Sequence, residues 1–287
     1  MITACCSLTA PAKVNLYLDI LGVLPGGYHE LNTLFHPLTA PADTLEISPG
    51  PAGQGCLVDS GLPGLDGPDN LIVKAWRRFG EATGFLPDLS VKLTKHIPMG
   101  AGLGGGSSDA AAMLTYLNSQ AGESALAPDR LSELAAGIGA DTPFFLLGVP
   151  AWAGGIGEKL TPAQVDLTGV SLVLICPRAH VSTPWAYKEW DRCFSAPDSF
   201  LTSPGAAAMG TLFLERLTLY NAFERVVFDR WPGLRTIKEK LIALGACGAA
   251  MSGSGASVFG LFRDRARAVM AAHSFAAASI PAYVNHF

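Results

Sequence analysis

The residues best suited to chemistry lie in one unbroken segment: Pro98, Met99, Gly100, Ala101, Gly102, Leu103, Gly104, Gly105, Gly106, Ser107 and Ser108, followed by Asp109. Glycines let a backbone take positive φ and come close to a ligand. The N–H groups at a helix start, together with the helix dipole, favour an anion. A glycine loop that runs from a strand into a helix therefore suits phosphate. The serine hydroxyls add donors or help hold a magnesium ion.

Three other readings compete for this segment. Gly100, Gly102 and Gly105 satisfy the dinucleotide pattern G-x-G-x-x-G, which also wants a buried apolar strand before it and an acidic residue closing a second strand about twenty residues on. Here the preceding strand alternates and Glu123 falls in a loop. The P-loop pattern fails because no Gly-Lys-Ser or Gly-Lys-Thr follows the glycines. A flexible linker rarely runs straight into a helix with an apolar stripe.

The surrounding elements can be read from periodicity. Val14, Leu16, Leu18 and Ile20 alternate with Lys13, Asn15, Tyr17 and Asp19, the period of a half-buried strand. Lys13 and Asn15 therefore share its polar face. Residues 89–95 alternate in the same way and lead to Pro98 and the glycines. Residues 107–120 predict a helix, with Ala110, Met113, Leu114 and Leu117 at helical spacing and Ser107 or Ser108 as cap. Helices are also expected over 70–83 and 128–137, and the apolar runs 144–149 and 170–176 have the length of strands. Gly154, Gly155 and Gly157, with the loop 161–168, mark a boundary, so two domains are expected, 1–160 and 161–287. Beyond it the pattern reads strand at 170–176, three helical stretches ending at Leu244, strand at 257–262, a short helix and a terminal strand.

Composition narrows the function. Of 287 residues, 49% are apolar and 15% charged, with a net charge of -4, which argues against a protein that neutralises nucleic-acid phosphates. No apolar run approaches the roughly 20 residues needed to span a bilayer, and Met1 to Cys6 lack the basic start of a targeting signal. The six cysteines form no CxxC pair and read as free thiols of a reducing cytoplasm, with Cys176 and Cys247 as small core residues.

Three segments resemble, in order and spacing, the motifs of the GHMP kinase superfamily. Residues 98–111 resemble its second motif, Ala10-Pro11-Ala12-Lys13-Val14-Asn15-Leu16 its first, and the stretch from Met251 to Phe259 its third. Gly26-Gly27-Tyr28-His29, Asp69-Asn70-Leu71-Ile72 and Gly139-Ala140-Asp141-Thr142-Pro143 are similar to the diphosphocytidyl-methylerythritol kinase branch. The resemblance implies an α+β, two-domain GHMP kinase fold, with an N-terminal glycine-loop domain and a ferredoxin-like C-terminal domain. It implies ATP and Mg2+, and transfer of phosphate to the 2-hydroxyl of a cytidylyl-linked methylerythritol by a cytoplasmic monomer or weak homodimer.

The resemblance also assigns roles. Asp141 is the base and Lys13 keeps it ionised and offsets charge in the transition state. ATP contacts fall on the loop 98–108, Lys95 and Asn70. Substrate contacts fall on Asn15, Tyr28, His29, Thr183, Tyr187, Gly253 and Ser254, with Tyr28 and Tyr187 covering the two faces of cytosine and His29 reading its edge. Metal ligands are not assigned. Plainer readings stand beside these: Asp141 as a helix cap, Lys13 as a solvated strand lysine, His29 as an exposed turn residue, Tyr187 as a core ring. The chain departs from the family pattern at Asn221-Ala222, where an Asn-Asp pair is usual, and at Tyr187, where phenylalanine is frequent. A nucleotide-binding protein without catalysis and a GHMP kinase for another alcohol are the competing functions.

Overall fold

The computed structural model describes residues 5–194 and 212–287; residues 1–4 of the stretch read for targeting lie outside it. In chain order the elements are β1 (Cys6–Val23), β2 (His29–Pro49), β3 (Cys56–Asp59), α1 (Leu71–Thr83), β4 (Leu89–Thr94), α2 (Gly105–Gln120), α3 (Pro128–Ala136), α4 (Thr142–Leu147), β5 (Ala151–Gly154), β6 (Lys159–Pro162), β7 (Val165–Asp166), β8 (Ser171–Ile175), α5 (Thr183–Phe194), β9 (Leu212–Phe213), β10 (Tyr220–Asn221), α6 (Glu224–Arg230), α7 (Pro232–Ala243), β11 (Gly248–Met251), β12 (Val258–Phe262), α8 (Arg265–Ala276) and β13 (Ala282–His286). The fold is α+β.

Packing divides the chain into two units that interleave in sequence. The first comprises residues 1–12, 41–99 and 104–148; the second comprises 13–40, 100–103 and 149–287. These units differ from the continuous halves 1–160 and 161–287 because β1 and β2, of 18 and 21 residues, each contribute to both.

In the first unit, β4 pairs antiparallel with the end of β2 and parallel with β3. Leu45 and Ile47 stand opposite Leu93 and Val91 and are buried, while Glu46 and Lys92 between them face water and pair at 3.0 Å. Strand alternation thus selects one apolar face. Ile72 and Phe79 of α1 and Ala110, Met113, Leu114 and Leu117 of α2 share its core, so the stripe read from sequence is the buried one. Asn70 caps α1, accepting from the Ile72 N–H at 2.8 Å.

In the second unit, β11, β12, β8 and β13 lie in that order, all antiparallel. With α5 to α7 between β8 and β11, and α8 between β12 and β13, this is the βαββαβ ferredoxin-like arrangement. Every residue of β8 is buried, which explains why Leu172, Val173, Leu174 and Ile175 follow one another without polar alternation. Val173, Phe223, Val227, Leu241, Phe262 and Phe275 are members of a core separate from that of the first unit.

Three local expectations are corrected. The run at 144–149 enters helix α4, with Pro143 in its first turn and Gly148 ending it at φ 69; periodicity cannot separate so short a helix from a strand. Helix α2 starts at Gly105, so Ser107 and Ser108 lie inside it, and neither is its cap. Cys176 is buried, but Cys247 is exposed because it lies in the turn between α7 and β11. Among the described residues no helix is long and apolar enough to cross a membrane.

Candidate active site

In the first unit, Gly104 takes φ 72 immediately before α2, and no side chain caps that helix. The first intrahelical bond runs from the Ser108 N–H to the Gly104 carbonyl at 2.9 Å. By helix geometry the N–H groups of Gly105, Gly106 and Ser107 then have no acceptor within the helix, which is the anion-binding condition. Ser108 Oγ, Asp109 Oδ1 and Thr142 Oγ1 are buried without a hydrogen-bond partner among the described residues. A methyl group on Gly139 would stand 3.2 Å from Ser107 Oγ and 3.0 Å from Thr142 Oγ1, so the turn that carries Asp141 packs beside the start of α2. Asp141 makes no side-chain bond to the N–H groups of α4. Asp141 thus takes the N-cap position of α4 without a side-chain capping bond.

Lys95 directly follows β4, with its ammonium between two carboxylates, bonded to Asp43 and, at 2.8 Å, to Asp109. Asp43 also accepts from the N–H groups of His96 and Ile97 at 2.6 and 2.8 Å, fixing the chain as it leaves the strand for the loop. Burial pulls the Lys95 ammonium down, but Asp109 and Asp43 outweigh it and leave it above its ordinary value. Burial pushes the Asp109 carboxyl up; Lys95 pulls it back and Asp43 adds to the rise, leaving it at about 7. Asn70 is held by local backbone, donating to the Leu65 carbonyl at 2.7 Å besides capping α1. Pro98 is half-buried and Met99 exposed.

In the second unit, Lys13 is 3% exposed, donates to Asn15 Oδ1 at 2.8 Å and stands 4.7 Å from the centre of the Phe35 ring. It is not a solvated strand lysine. Asn15 donates in turn to Thr33 Oγ1 at 2.8 Å, and Thr33 to the Tyr17 carbonyl at 2.6 Å. The stretch 100–103 lies backbone to backbone against the third-motif loop. Ser252 Oγ donates to the Gly102 carbonyl at 2.9 Å, Ser257 N–H to the Ala101 carbonyl at 3.2 Å, and Lys13 N–H to the Leu103 carbonyl at 3.1 Å. Gly102 has φ 76, and a methyl group there would meet the Ser252 carbonyl oxygen at 2.1 Å. Asn221 braces the same loop through its amide, donating to the carbonyls of Met251 and Gly253 at 2.7 and 2.8 Å. Thr183 and Ser254 hydrogen-bond to each other at 2.8 Å.

The turn between β1 and β2 has Gly26 and Gly27 at φ 105 and 83 and leaves Tyr28 65% exposed, while the next residue, His29, is buried. The exposed-turn reading of His29 falls. Its ring stacks on Tyr187 at 4.4 Å between centroids, and its Nε2 lies 2.6 Å from Asp191 Oδ1. Tyr187 is half-buried and also meets the Phe223 ring edge-on at 4.9 Å.

The GHMP kinases N terminal domain family matches residues 70–149, and the GHMP kinases C terminal family matches residues 208–279. A 4-diphosphocytidyl-2-C-methyl-D-erythritol kinase of Solidesulfovibrio magneticus is 48% identical over 276 residues, 92% of this chain and 90% of that protein. The kinase of the same name from Prosthecochloris aestuarii is 41% identical over 94% of both chains. A crystal structure of 4-(cytidine 5'-diphospho)-2C-methyl-D-erythritol kinase superposes with a TM-score of 0.81 at 36% identity, covering 98% of each chain. The chain belongs to the 4-diphosphocytidyl-2-C-methyl-D-erythritol kinase family of GHMP kinases. A homoserine kinase from Cytophaga hutchinsonii, at 21% identity and a TM-score of 0.70, shares the fold.

As a member of that family the protein is an ATP-dependent kinase, and its first unit fits a nucleotide phosphate chain through the uncapped start of α2 and the αL Gly104. Magnesium fits less completely. No cluster of three His, Cys, Asp or Glu side chains exists among the described residues. Ser108 Oγ and Asp109 Oδ1 are hard oxygen donors without hydrogen-bond partners among the described residues, suited to an ion held mainly by water and phosphate. For this family member, sequence reading did not single out Asp43, Asp109, Thr33, Ser252 or Asp191. Only Ser252 and Asp109, inside the glycine motifs, carried a local signal. Asn221 was noted for its missing acidic neighbour; its amide now has a defined place beneath the third motif.

Proposed function

We propose that the protein transfers the γ-phosphoryl group of ATP to the 2-hydroxyl of 4-diphosphocytidyl-2-C-methyl-D-erythritol, giving the 2-phosphate and ADP in non-mevalonate isoprenoid precursor synthesis. The observation that carries this reading is 48% identity, across 92% of the chain, to a kinase of that name. In this scheme the N–H groups of Gly105, Gly106 and Ser107 hold phosphate oxygens. Ser107 and Ser108 complete the cradle. Mg2+, when bound, neutralises charge building on the transferred group. Asp141 accepts the hydroxyl proton, and Lys13 stabilises charge on the reacting oxygens. Tyr28, His29 and Tyr187 take the cytosine, while Asn15, Thr183, Gly253 and Ser254 line the remainder. Lys95 serves by shaping the loop, since it is bonded to Asp43 and Asp109, and Asn70 by holding the start of α1, whose backbone it caps. The protein acts on this small molecule in the cytoplasm as a monomer or weak homodimer, without nucleic acid.

Support for Asp141 as base is its position at the start of α4, beside the start of α2. Asp141→Asn keeps the shape and removes the proton acceptor, so turnover falls by about two to four orders of magnitude with folding and substrate binding retained. Steady-state ADP release with the cytidylyl alcohol, compared with mevalonate, homoserine and galactose, tests both claims. Near-normal turnover in Asp141→Asn removes the base, and a preference for another alcohol removes the substrate.

A further inference from the structure

We propose that Asp191 is a positioning residue that sets the hydrogen-bonding identity of His29, and through it the discrimination of cytosine from uracil. The inference rests on the cytidylyl-substrate reading above. Three residues of α5, Tyr187, Trp190 and Asp191, stand at i, i+3 and i+4 on one face of the helix. Each meets the imidazole of His29 in a different way. Tyr187 lies flat against it, at 4.4 Å and 22° between planes. Trp190 stands edge-on, at 6.2 Å and 88°. Asp191 bonds to its Nε2 at 2.6 Å. The ring therefore cannot rotate without breaking a stack and a hydrogen bond together, and His29 is buried while Asp191 stays partly exposed.

The tautomer follows from the partner. A carboxylate only accepts, so Nε2 carries the proton and donates it to Asp191, and in the neutral ring Nδ1 is left with a lone pair. A fixed acceptor suits the exocyclic amine of cytosine, which donates. It opposes the carbonyl oxygen that uracil has at the same position, since two lone pairs would face each other. Stacking on aromatic rings accepts any base, so selection must come from such an edge contact. Without the carboxylate the ring is free to carry its proton on Nδ1, which would present a donor and reverse the preference.

The test compares wild type, Asp191→Ala and Asp191→Asn with the cytidylyl substrate and its uridylyl counterpart. In Asp191→Ala the KM for the cytidylyl substrate rises about tenfold and the cytidylyl-over-uridylyl ratio of kcat/KM falls by a similar factor, the scale of one charge-assisted hydrogen bond, with the KM for ATP unmoved. Asp191→Asn, whose amide oxygen still accepts from Nε2, recovers most of the discrimination. An imidazole nitrogen NMR spectrum of wild type shows the proton on Nε2. Discrimination unchanged in Asp191→Ala, or a proton on Nδ1 in wild type, overturns the proposal. If the alanine variant does not fold, the spectrum and the asparagine variant still decide it. Failure of the underlying substrate reading looks different: wild type itself would not turn over the cytidylyl alcohol.

Discussion

Asp109 shows how a single buried carboxyl links the glycine loop to pH. Its folded-state pKa of about 7 lies above the ordinary 3.8, so between those values the folded chain holds a proton that the unfolded chain has released. The stability tied to this group is fully present below about pH 4 and is lost as pH rises through about 7. Lys95 is shifted upward as well, so its contribution persists below its ordinary value of 10.5 and is lost only above it. Within the acidic-to-neutral window Asp109 contributes a fall in stability with pH, while His36, whose pKa is lowered by burial, contributes a rise. Asp109→Asn, which can still accept from Lys95, should remove the stabilisation that Asp109 loses between about pH 4 and about pH 7, so that its melting midpoint falls less, or rises more, across that window than that of wild type. Parallel slopes in the two proteins would clear Asp109 of any part in it. The residues of this cluster were only partly legible: Lys95 and Asp109 stood beside the glycine motif, but nothing in the sequence around Asp43 marks it as their partner.

At the scale of elements, the glycines of the loop divide by what surrounds them. Gly102 combines φ 76 with a carbonyl oxygen 2.1 Å from where a methyl group would sit, whereas a methyl on Gly106 meets only Leu71 Cδ1 at 3.4 Å. Gly102→Ala should destabilise the protein by about 2 kcal/mol or more, because a strained conformation and a backbone clash add. Gly106→Ala lies within α2, where alanine is favoured over glycine by about 0.5–1 kcal/mol, so stability should hold or rise. Urea unfolding of both variants checks the ranking, and equal losses would contradict it. Nucleotide titration of Gly106→Ala then isolates ligand approach, since any lost ATP affinity cannot come from a damaged fold. The helix itself was legible from its apolar stripe. Its start was not, because the serines that look like caps lie within the first turn and an αL glycine takes the cap position.

Across the whole molecule, cohesion of the second unit depends on polar ties as well as its apolar core. Asn285 of β13 is buried and accepts from the N–H groups of Thr39 and Ala40 at 2.8 and 2.9 Å while donating to the Ala40 carbonyl at 2.8 Å. Asn285→Ala would strand these backbone groups and should cost about 2–4 kcal/mol, more than its small loss of volume implies. A denaturant midpoint within error of wild type would show that water replaces the side chain. The tie was invisible in sequence because it joins residues 246 apart, and because β2, with Pro37 and Pro41 inside it, does not read as a strand.

By itself the sequence determined the alternating face of β1, the stripe of α2, the order of the glycine motifs and the α+β class. Each of these depends on backbone periods and residue types within a few positions. Tertiary structure alone decided that Lys95 lies between Asp43 and Asp109, that Asn221 braces the third motif, that the four strands of the second unit run in the order β11, β12, β8, β13, and that His29 meets Asp191. Those pairs are separated by up to 162 residues. No local pattern encodes such a partner. It is chosen when burial removes water from a charged or polar group and leaves another side chain as the only way to satisfy it.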